Sequence, residues 1–378
     1  MSDAAVRRIA VVTGTRAEWG LLECVCDAIA ARPGLALEIC AGGAHLVPLS
    51  DGAPPTIALV ERKFGAVHRF TMQSAGASGR LADARAVGLG ISALADIFAR
   101  IVPDVVVVLG DRIEAFAAAG AASIGGIRVA HIHGGDRAEG IADEAMRHAI
   151  TKLAHVHFAA SEQSAERILK LGEERARIHL VGSPAVDGLA SVKAAAGEPG
   201  FDFVFLMHPV GRSEDEEERD ARAALDELVR HGSVLALPPN TDPGREGIAR
   251  AIAGAAHARR GIVEARPNLA REDFVALLKH PRLRALVGNS SAGLIECAAL
   301  GVRCINLGPR QSGRERADNV RDVPSGHPAD LAREIAGLDG WSPTGRHPYL
   351  GGGAAARIAE VLATCDFSAH GLAKRNTY

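Results

Sequence analysis

The stretch PDVVVVLGDR, residues 103–112, decides the fold of this chain. Its five apolar residues, Val105–Leu109, stand between an aspartate and a glycine. A strand that is apolar on both faces is typical of a parallel sheet covered by helices on both sides. Asp111 and Arg112 follow the turn at Gly110, so polar groups are expected at the carboxyl end of this strand. Open parallel sheets bind their ligands at that end.

The same strand–turn–helix pattern extends outward from this stretch in both directions. Further apolar runs end at small or polar turns, which are Gly14–Arg16, Gly42–Gly43, His133–Gly135, His208–Pro209, Pro238–Asn240 and Gly288–Ser291. Alternating strands and helices predict an α/β protein with two Rossmann-like, doubly wound parallel sheets facing each other across a cleft. Small residues dominate 187–199, so we predict an N-terminal domain 1–187 and a C-terminal nucleotide-binding domain 188–363. Residues 364–378 are expected to pack back on the first domain.

Composition narrows the classes of function. The chain has 378 residues, 47% hydrophobic and 23% charged, which predicts a globular protein of two domains. Its net charge of −2 gives no basic surplus for nucleic acid or an anionic membrane surface, and no apolar run is long enough to span a bilayer. Six cysteines without a CxxC pair predict reduced thiols, and no signal peptide is recognisable, so a cytoplasmic location is expected.

The turn GNSSAG, residues 288–293, is the best candidate for binding an anion. Asn289, Ser290 and Ser291 would open a helix, where free backbone N–H groups and the helix dipole can hold a diphosphate. Glu296, in the following turns, could accept hydrogen bonds from a ribose. An ordinary serine N-cap explains the same residues, and both interpretations stay open.

The predicted helix 141–153 carries a polar face. Glu144, Arg147, His148 and Thr151 recur at the spacing of one helical face. The helix follows a Gly-Gly turn at a strand end, where a ligand site is expected. A solvated face with a salt bridge is the alternative.

Two further features have competing explanations. His131 and His133 could be two metal ligands, but nearby carboxylates lack ligand spacing, so structural roles are favoured and no metal is predicted. The loop 310–320 carries Arg310 and Arg314, which could donate bidentate hydrogen bonds to phosphates. A solvated loop is the alternative.

Taken together and in order, seven motifs resemble the UDP-N-acetylglucosamine 2-epimerase family, and its hydrolysing branch in sialic and legionaminic acid synthesis in particular. They are Gly14–Glu18, Gly110–Arg112, His131–Gly135, Asp143–Glu144 with Arg147–Leu153, His208–Pro209, Asn289–Ser291 and Arg310–Val320. The resemblance covers about residues 9–320. It implies a glycosyltransferase-B-like fold and a nucleotide-sugar substrate, with no metal, nicotinamide or other cofactor. We also expect a homodimer or homotetramer.

The resemblance implies a reaction of two steps. Anti elimination of the nucleoside diphosphate gives a glycal, and water then adds at C1 while C2 is reprotonated. The products are UDP and a free C2-epimerised sugar, N-acetylmannosamine or 2,4-diacetamido-2,4,6-trideoxymannose. A non-hydrolysing 2-epimerase, a glycosyltransferase of the same fold, a metal hydrolase and a non-catalytic nucleotide-binding regulator are the alternatives.

The resemblance also implies residue roles. Asp111 and Glu144 are the acid–base candidates, and His208 lies near the diphosphate or assists proton transfer. His133, another catalytic candidate, stands where many members carry a glutamate, and this favours a 2,4-diacetamido sugar. The residues expected to bind substrate and nucleotide are Arg16, Arg112, Arg147, Asn240, Asn289, Ser290, Ser291, Glu296, Arg310 and Arg314.

Overall fold

The computed structural model describes residues 6–48, 55–74, 79–138, 144–195, 200–240, 242–367, 371–375 and 377. They form two compact units. The first contains the described residues of 1–136, 143–187 and 350–378, and the second those of 137–142 and 188–349. Each unit is built on a doubly wound parallel sheet covered by helices, so the predicted fold class is confirmed. Among the helices in these ranges, none combines the length and hydropathy needed to cross a membrane.

Strands and helices alternate along the chain. The strands are β1 (Arg7–Thr13), β2 (Leu35–Gly42), β3 (His68–Phe70), β4 (Val105–Leu109), β5 (Arg128–Ile132), β6 (Val156–Ala159), β7 (Ile178–Leu180), β8 (Phe203–Leu206), β9 (Val234–Ala236), β10 (Val263–Ala265), β11 (Ala285–Gly288), β12 (Cys304–Leu307) and β13 (Val320–Val323). The α-helices are α1 (Arg16–Ala30), α2 (Ile57–Phe64), α3 (Arg80–Ile101), α4 (Ile113–Ile124), α5 (Glu144–Leu153), α6 (Glu162–Lys170), α7 (Glu214–Leu228), α8 (Arg245–Ala258), α9 (Arg271–Leu278), α10 (Glu296–Leu300), α11 (Pro328–Ala336) and α12 (Ala354–Thr364).

The first sheet has the strand order β3-β2-β1-β4-β5-β6-β7. Its direction of winding reverses between β1 and β4, which pair in parallel with Ile9 opposite Val105 and Val11 opposite Val107. The turns after these two strands therefore lie side by side at the switch point, where such sheets bind ligands. All five residues of β4 are buried, as its unbroken apolar sequence predicts.

The second sheet has the order β10-β9-β8-β11-β12-β13, with its switch point between β8 and β11. Gly288 pairs with Leu206, so the turns that follow β8 and β11 are neighbours. The sequence prediction missed the two edge strands, β10 and β13. Each has only three or four residues and includes charged side chains, because an edge strand does not need to be apolar on both faces.

The helix α12 lies in the first unit, whereas the sequence prediction assigned residues up to 363 to the second domain. Ile358 and Leu362 are fully buried in the first core, which also contains Leu22 and Val25 of α1. The carboxylate of Asp187 accepts hydrogen bonds from the backbone N–H groups of Ala354 and Ala355, at 3.0 and 2.7 Å, and so caps the first turn of α12. Apolar burial and this cap hold the helix on the first unit.

Candidate functional site

A guanidinium in the first unit binds carboxylates from two elements. Arg147, on α5 and 2% exposed, donates a hydrogen bond through Nη2 to Oδ2 of Asp111, in the turn after β4. Its Nε lies 3.4 Å from Oε2 of Glu144, one turn earlier on the same helix. The Asp111 and Glu144 side chains each keep 17% of their surface exposed, so a ligand can reach both. The structure thus brings together three of the residues predicted for the site.

A second link joins α5 to the turn after β4. Nε2 of His131 lies 2.7 Å from the carbonyl oxygen of Gly110, and Nδ1 of His131 lies 3.3 Å from Oγ1 of Thr151. Burial lowers the pKa of His131 to about 3, so its ring is neutral and the carbonyl requires the proton on Nε2. Both ring nitrogens are therefore occupied within the protein. This is the structural role that the sequence analysis favoured over metal binding.

His133 is held in place by a separate network. Its Nδ1 lies 2.8 Å from Oδ2 of Asp136 and its Nε2 lies 2.9 Å from Oγ of Ser183. The other oxygen of Asp136 accepts a hydrogen bond from Ser164. The backbone of His133 has φ = +64°, in the left-handed region that histidine enters more readily than most residues. Within the described ranges, no group of three or more His, Cys, Asp or Glu side chains is arranged to hold a metal ion.

Two buried glutamates that the sequence analysis gave no role lie beside the predicted residue Arg112. Arg112 Nε is 3.4 Å from Oε2 of Glu114, whose side chain is fully buried. Glu18, 5% exposed, accepts a hydrogen bond from the backbone N–H of Gly14 at 2.8 Å. Burial raises the pKa of Glu18 to about 8. The backbone hydrogen bond from Gly14 lowers this pKa, and the nearby carboxylate of Glu114 raises it.

The spacing of Thr15 and Glu18 could have revealed the local role of Glu18. Thr15 is the N-cap of α1 and accepts a hydrogen bond from the backbone of Glu18 at 3.3 Å, which is the cap pattern of a threonine with a glutamate three residues later. Arg16 follows the cap directly, and partial burial lowers the pKa of its guanidinium.

In the second unit, the turns after β8 and β11 are joined by a reciprocal pair of hydrogen bonds. The backbone N–H of His208 donates to Oδ1 of Asn289 at 2.7 Å, and Nδ2 of Asn289 donates to the carbonyl of His208 at 2.8 Å. Nδ1 of His208 accepts a hydrogen bond from the backbone N–H of Asn240, after β9, at 3.0 Å. Three strand ends thus converge on His208.

The loop after β12 contacts the same turn. Arg310 Nη1 and Gln311 Nε2 both donate to the carbonyl oxygen of Asn289, at 3.3 and 2.9 Å. Arg314 lies elsewhere in the loop and donates to the carbonyl of Arg137 at 3.3 Å. The structure therefore joins Arg310 to the turn after β11, and Arg314 donates its hydrogen bond to a different segment.

The sequence analysis expected Asn289 to Ser291 to open one helix that includes Glu296, and this is wrong because the segment is divided. Ser290 caps a 3₁₀ turn, Ser291–Gly293, by accepting a hydrogen bond from Ala292 N at 3.4 Å, and α10 begins only at Glu296. The carboxylate of Glu296 lies 3.2 Å from Nη1 of Arg271, so it has a partner within the protein. Ser290 thus precedes, and Ser291 begins, a single 3₁₀ turn rather than a long helix.

Two doubly wound sheets, each with polar side chains at its switch point, define an α/β protein of the glycosyltransferase-B-like class. The profile of the family described as UDP-N-acetylglucosamine 2-epimerase matches residues 27–363. The chain belongs to this family.

Similar proteins include two hydrolysing enzymes. The chain is 32% identical to the UDP-N,N′-diacetylbacillosamine 2-epimerase (hydrolyzing) of Legionella pneumophila, over 99% of this chain and 100% of that protein. It is 30% identical to the GDP/UDP-N,N′-diacetylbacillosamine 2-epimerase (hydrolyzing) of Campylobacter jejuni, over 84% of each chain. The solved UDP-GlcNAc 2-epimerase of Neisseria meningitidis, bound to UDP-GlcNAc, shares the fold with a TM-score of 0.76 and 19% identity, over 94% of this chain and 99% of that one.

Proposed function

We propose that the chain is a hydrolysing 2-epimerase of a UDP-linked 2-acetamido sugar. The observation that carries the proposal is that two partly exposed carboxylates, Asp111 and Glu144, share the buried guanidinium of Arg147. The reaction needs two proton transfers at a single carbon, and two carboxylates from different elements can supply a base and an acid from different directions. Similarity to hydrolysing relatives over the whole chain supports the same function.

The first step eliminates the nucleotide. A carboxylate takes the proton from C2 of the sugar, the electrons of that C–H bond form the C1–C2 double bond, and the bond from C1 to the diphosphate oxygen breaks. UDP leaves with the electrons of that bond. We propose that three groups of the second unit stabilise the negative charge on the departing diphosphate: His208, Arg310 and the backbone of the Ser290–Ser291 turn.

The second step hydrates the glycal. An acid delivers a proton to C2 on the face opposite to the one that lost it, and a water molecule adds at C1 as it gives up a proton. The product is the free sugar with inverted C2. One of Asp111 and Glu144 takes the proton from C2 in the first step; the other delivers the new proton from the opposite face in the second step and then accepts the proton that the water gives up. Arg147 keeps the two carboxylates close together.

The remaining predicted residues receive supporting roles. Arg16 and Arg112 face the sugar phosphate from the first switch point, and Asn240, Asn289 and Glu296 shape the nucleotide site. His133 has both ring nitrogens engaged by Asp136 and Ser183, so we assign it to shaping the sugar pocket unless substrate releases one of these bonds. Arg314 is proposed to reach the phosphates once substrate is bound.

UDP-N,N′-diacetylbacillosamine is the proposed substrate, because two relatives, matched over 99% and 84% of this chain, have this sugar nucleotide in their names, the second together with its GDP-linked form. The free diacetamido sugar would then serve the synthesis of a legionaminic-type acid in the cytoplasm. UDP-N-acetylglucosamine, which would give N-acetylmannosamine for sialic acid synthesis, is the second substrate to test. We propose a homodimer or homotetramer, which sedimentation velocity would distinguish.

The test is a substrate panel in D₂O. Purified enzyme is incubated with UDP-N,N′-diacetylbacillosamine, UDP-N-acetylglucosamine and the GDP-linked diacetamido sugar, and free nucleotide and sugar are followed by chromatography and NMR. We expect free UDP together with a C2-inverted sugar that carries deuterium at C2. Epimerised UDP-sugar without free UDP would identify the non-hydrolysing reaction. Transfer to an acceptor without deuterium at C2 would identify a glycosyltransferase, and loss of activity in chelator would favour a metal hydrolase.

A further inference from the structure

A lysine far along the chain binds the C-terminal end of α5. Nζ of Lys374 donates to the carbonyl oxygens of Thr151 and Lys152, at 3.2 and 2.7 Å, and also to that of Ala154. The last carbonyls of a helix have no partner within the helix, and a cation there also interacts favourably with the helix dipole. Lys374 therefore acts as a cap, although it lies more than 200 residues away from the helix in sequence.

A buried carboxylate fixes this cap. Oε2 of Glu173, whose side chain is 1% exposed, lies 2.7 Å from Nζ of Lys374 and 3.1 Å from Nε2 of His157. Its Oε1 lies 2.7 Å from Nζ of Lys152, on α5 itself. Burial alone would raise the pKa of Glu173, but the hydrogen bonds from His157, Lys152 and Lys374 hold it at about 2. The anion thus binds α5 twice, directly through Lys152 and indirectly through Lys374.

The same helix carries the proposed chemistry at its other end. Arg147 and Glu144 occupy its first turns, and Thr151 both bonds back to the carbonyl of Arg147, at 3.0 Å, and contacts His131. A helix of ten residues is about 15 Å long, and its backbone hydrogen bonds connect one end to the other. A shift at the capped end therefore reaches the contact between Arg147 and Asp111.

We propose that Lys374 is a positioning residue of the epimerase: by joining Glu173 to the end of α5, it sets the place of Glu144 and Arg147 relative to Asp111. The proposal rests on the proposed function for its kinetic consequence, and on the hydrogen bonds of α5 for its structural one. Lys374 itself takes no part in proton transfer.

Lys374→Met tests the proposal, with Lys374→Arg as the conservative variant and Lys170→Met, at the exposed end of α6, as the matched control. We expect kcat of Lys374→Met to fall by roughly 10- to 100-fold, because small misplacements of catalytic groups have effects of that size. KM and the affinity for UDP should change less than about twofold, since the groups proposed to stabilise the departing diphosphate, which are His208, Arg310 and the Ser290–Ser291 turn, belong to the other unit. Lys374→Arg should recover most of kcat, and Lys170→Met should match the wild type.

Amide hydrogen exchange gives a measure that does not need activity. Exchange of residues 144–153 should accelerate in Lys374→Met and in Glu173→Gln, and exchange of β8 and β11 should stay unchanged. Unchanged kcat and unchanged exchange in a folded Lys374→Met would overturn the proposal. It would also be overturned if kcat and UDP binding fell by the same factor, in proportion to the fraction of unfolded protein. If wild-type enzyme releases no UDP from any sugar, the proposed function fails, and the exchange experiment still decides the role of Lys374. If Lys374→Met does not fold, Lys374→Arg and Glu173→Gln decide it by the same two measurements.

Discussion

At the residue scale, the single guanidinium of Arg147 contacts two carboxylates, those of Asp111 and Glu144. Each carboxylate can therefore be replaced by its amide while the other keeps its contact with Arg147. We predict that Asp111→Asn and Glu144→Gln each lower kcat by about 10²–10⁴-fold, the range of general acid–base catalysis, while UDP binding persists. Steady-state kinetics and calorimetric titration with UDP measure the two effects. Asp104→Asn is the control. Asp104 lies at the amino end of β4, the strand that Asp111 follows, and its carboxylate accepts a hydrogen bond from the backbone N–H of Arg8. Wild-type rates in either site variant would refute the assignment.

Glu18 makes a second prediction at this scale. Its pKa of about 8 lies above the 4.5 of an unperturbed glutamate, so the folded chain keeps a proton that the unfolded chain loses between these pH values. The stabilising contribution is therefore complete below pH 4.5 and is lost as the pH rises to 8. Glu18→Gln removes this dependence. Relative to the wild type, it should gain on the order of a few kcal/mol between pH 5 and 9.

Urea unfolding at several pH values measures the effect of Glu18→Gln. Glu166→Gln, an exposed position on α6, should show no comparable change with pH. A stability difference between Glu18→Gln and the wild type that stays constant from pH 5 to 9 would contradict the buried, protonated state of Glu18.

At the scale of the elements, the junction of β8 and β11 depends on a glycine. Gly288 has φ = +149°, and a Cβ there would lie 1.9 Å from the carbonyl oxygen of Leu206, its partner across the sheet. We predict that Gly288→Ala destabilises the protein by about 3 kcal/mol and separates Asn289 from His208. Gly254→Ala is the control, because nothing lies within 4 Å of its Cβ in α8, and it should stabilise by about 0.4–1 kcal/mol. Equal unfolding midpoints in urea for the two variants would disprove the close approach.

Local patterns predict those elements whose burial is complete. The five apolar residues of β4 predict a central strand, and the turns after β4 and β11 place Asp111 and Asn289 at strand ends. The same patterns do not reveal β13, whose charged residues suit an edge strand, or the break between the 3₁₀ turn at Ser291–Gly293 and α10. The pairing of Glu173 with Lys374 is equally hidden, since it depends on which distant segments pack together.

At the scale of the whole molecule, the chain returns to its first unit after completing the second. The amphipathic pattern of α12 predicts a helix but does not say which core receives it. Its partner α1 lies more than 300 residues earlier, and the Asp187 cap that fixes its start sits at the unit boundary. For this reason the predicted domain limits placed 350–363 on the wrong side, although the two sheets themselves were anticipated.

Because α12 packs in the first unit, a substitution near the end of the chain should lower the stability of that unit. Ile358 is fully buried among Leu22 and Val25, so Ile358→Ala should destabilise the first unit by about 2–4 kcal/mol. Hydrogen exchange in moderate urea should then accelerate in β1 and β4 and remain unchanged in β8 and β11. Ile248→Ala, in α8 and equally buried in the second core, should give the opposite pattern. Faster exchange in the second sheet of Ile358→Ala would mean that α12 stabilises both units, because a helix confined to one core can weaken only that core.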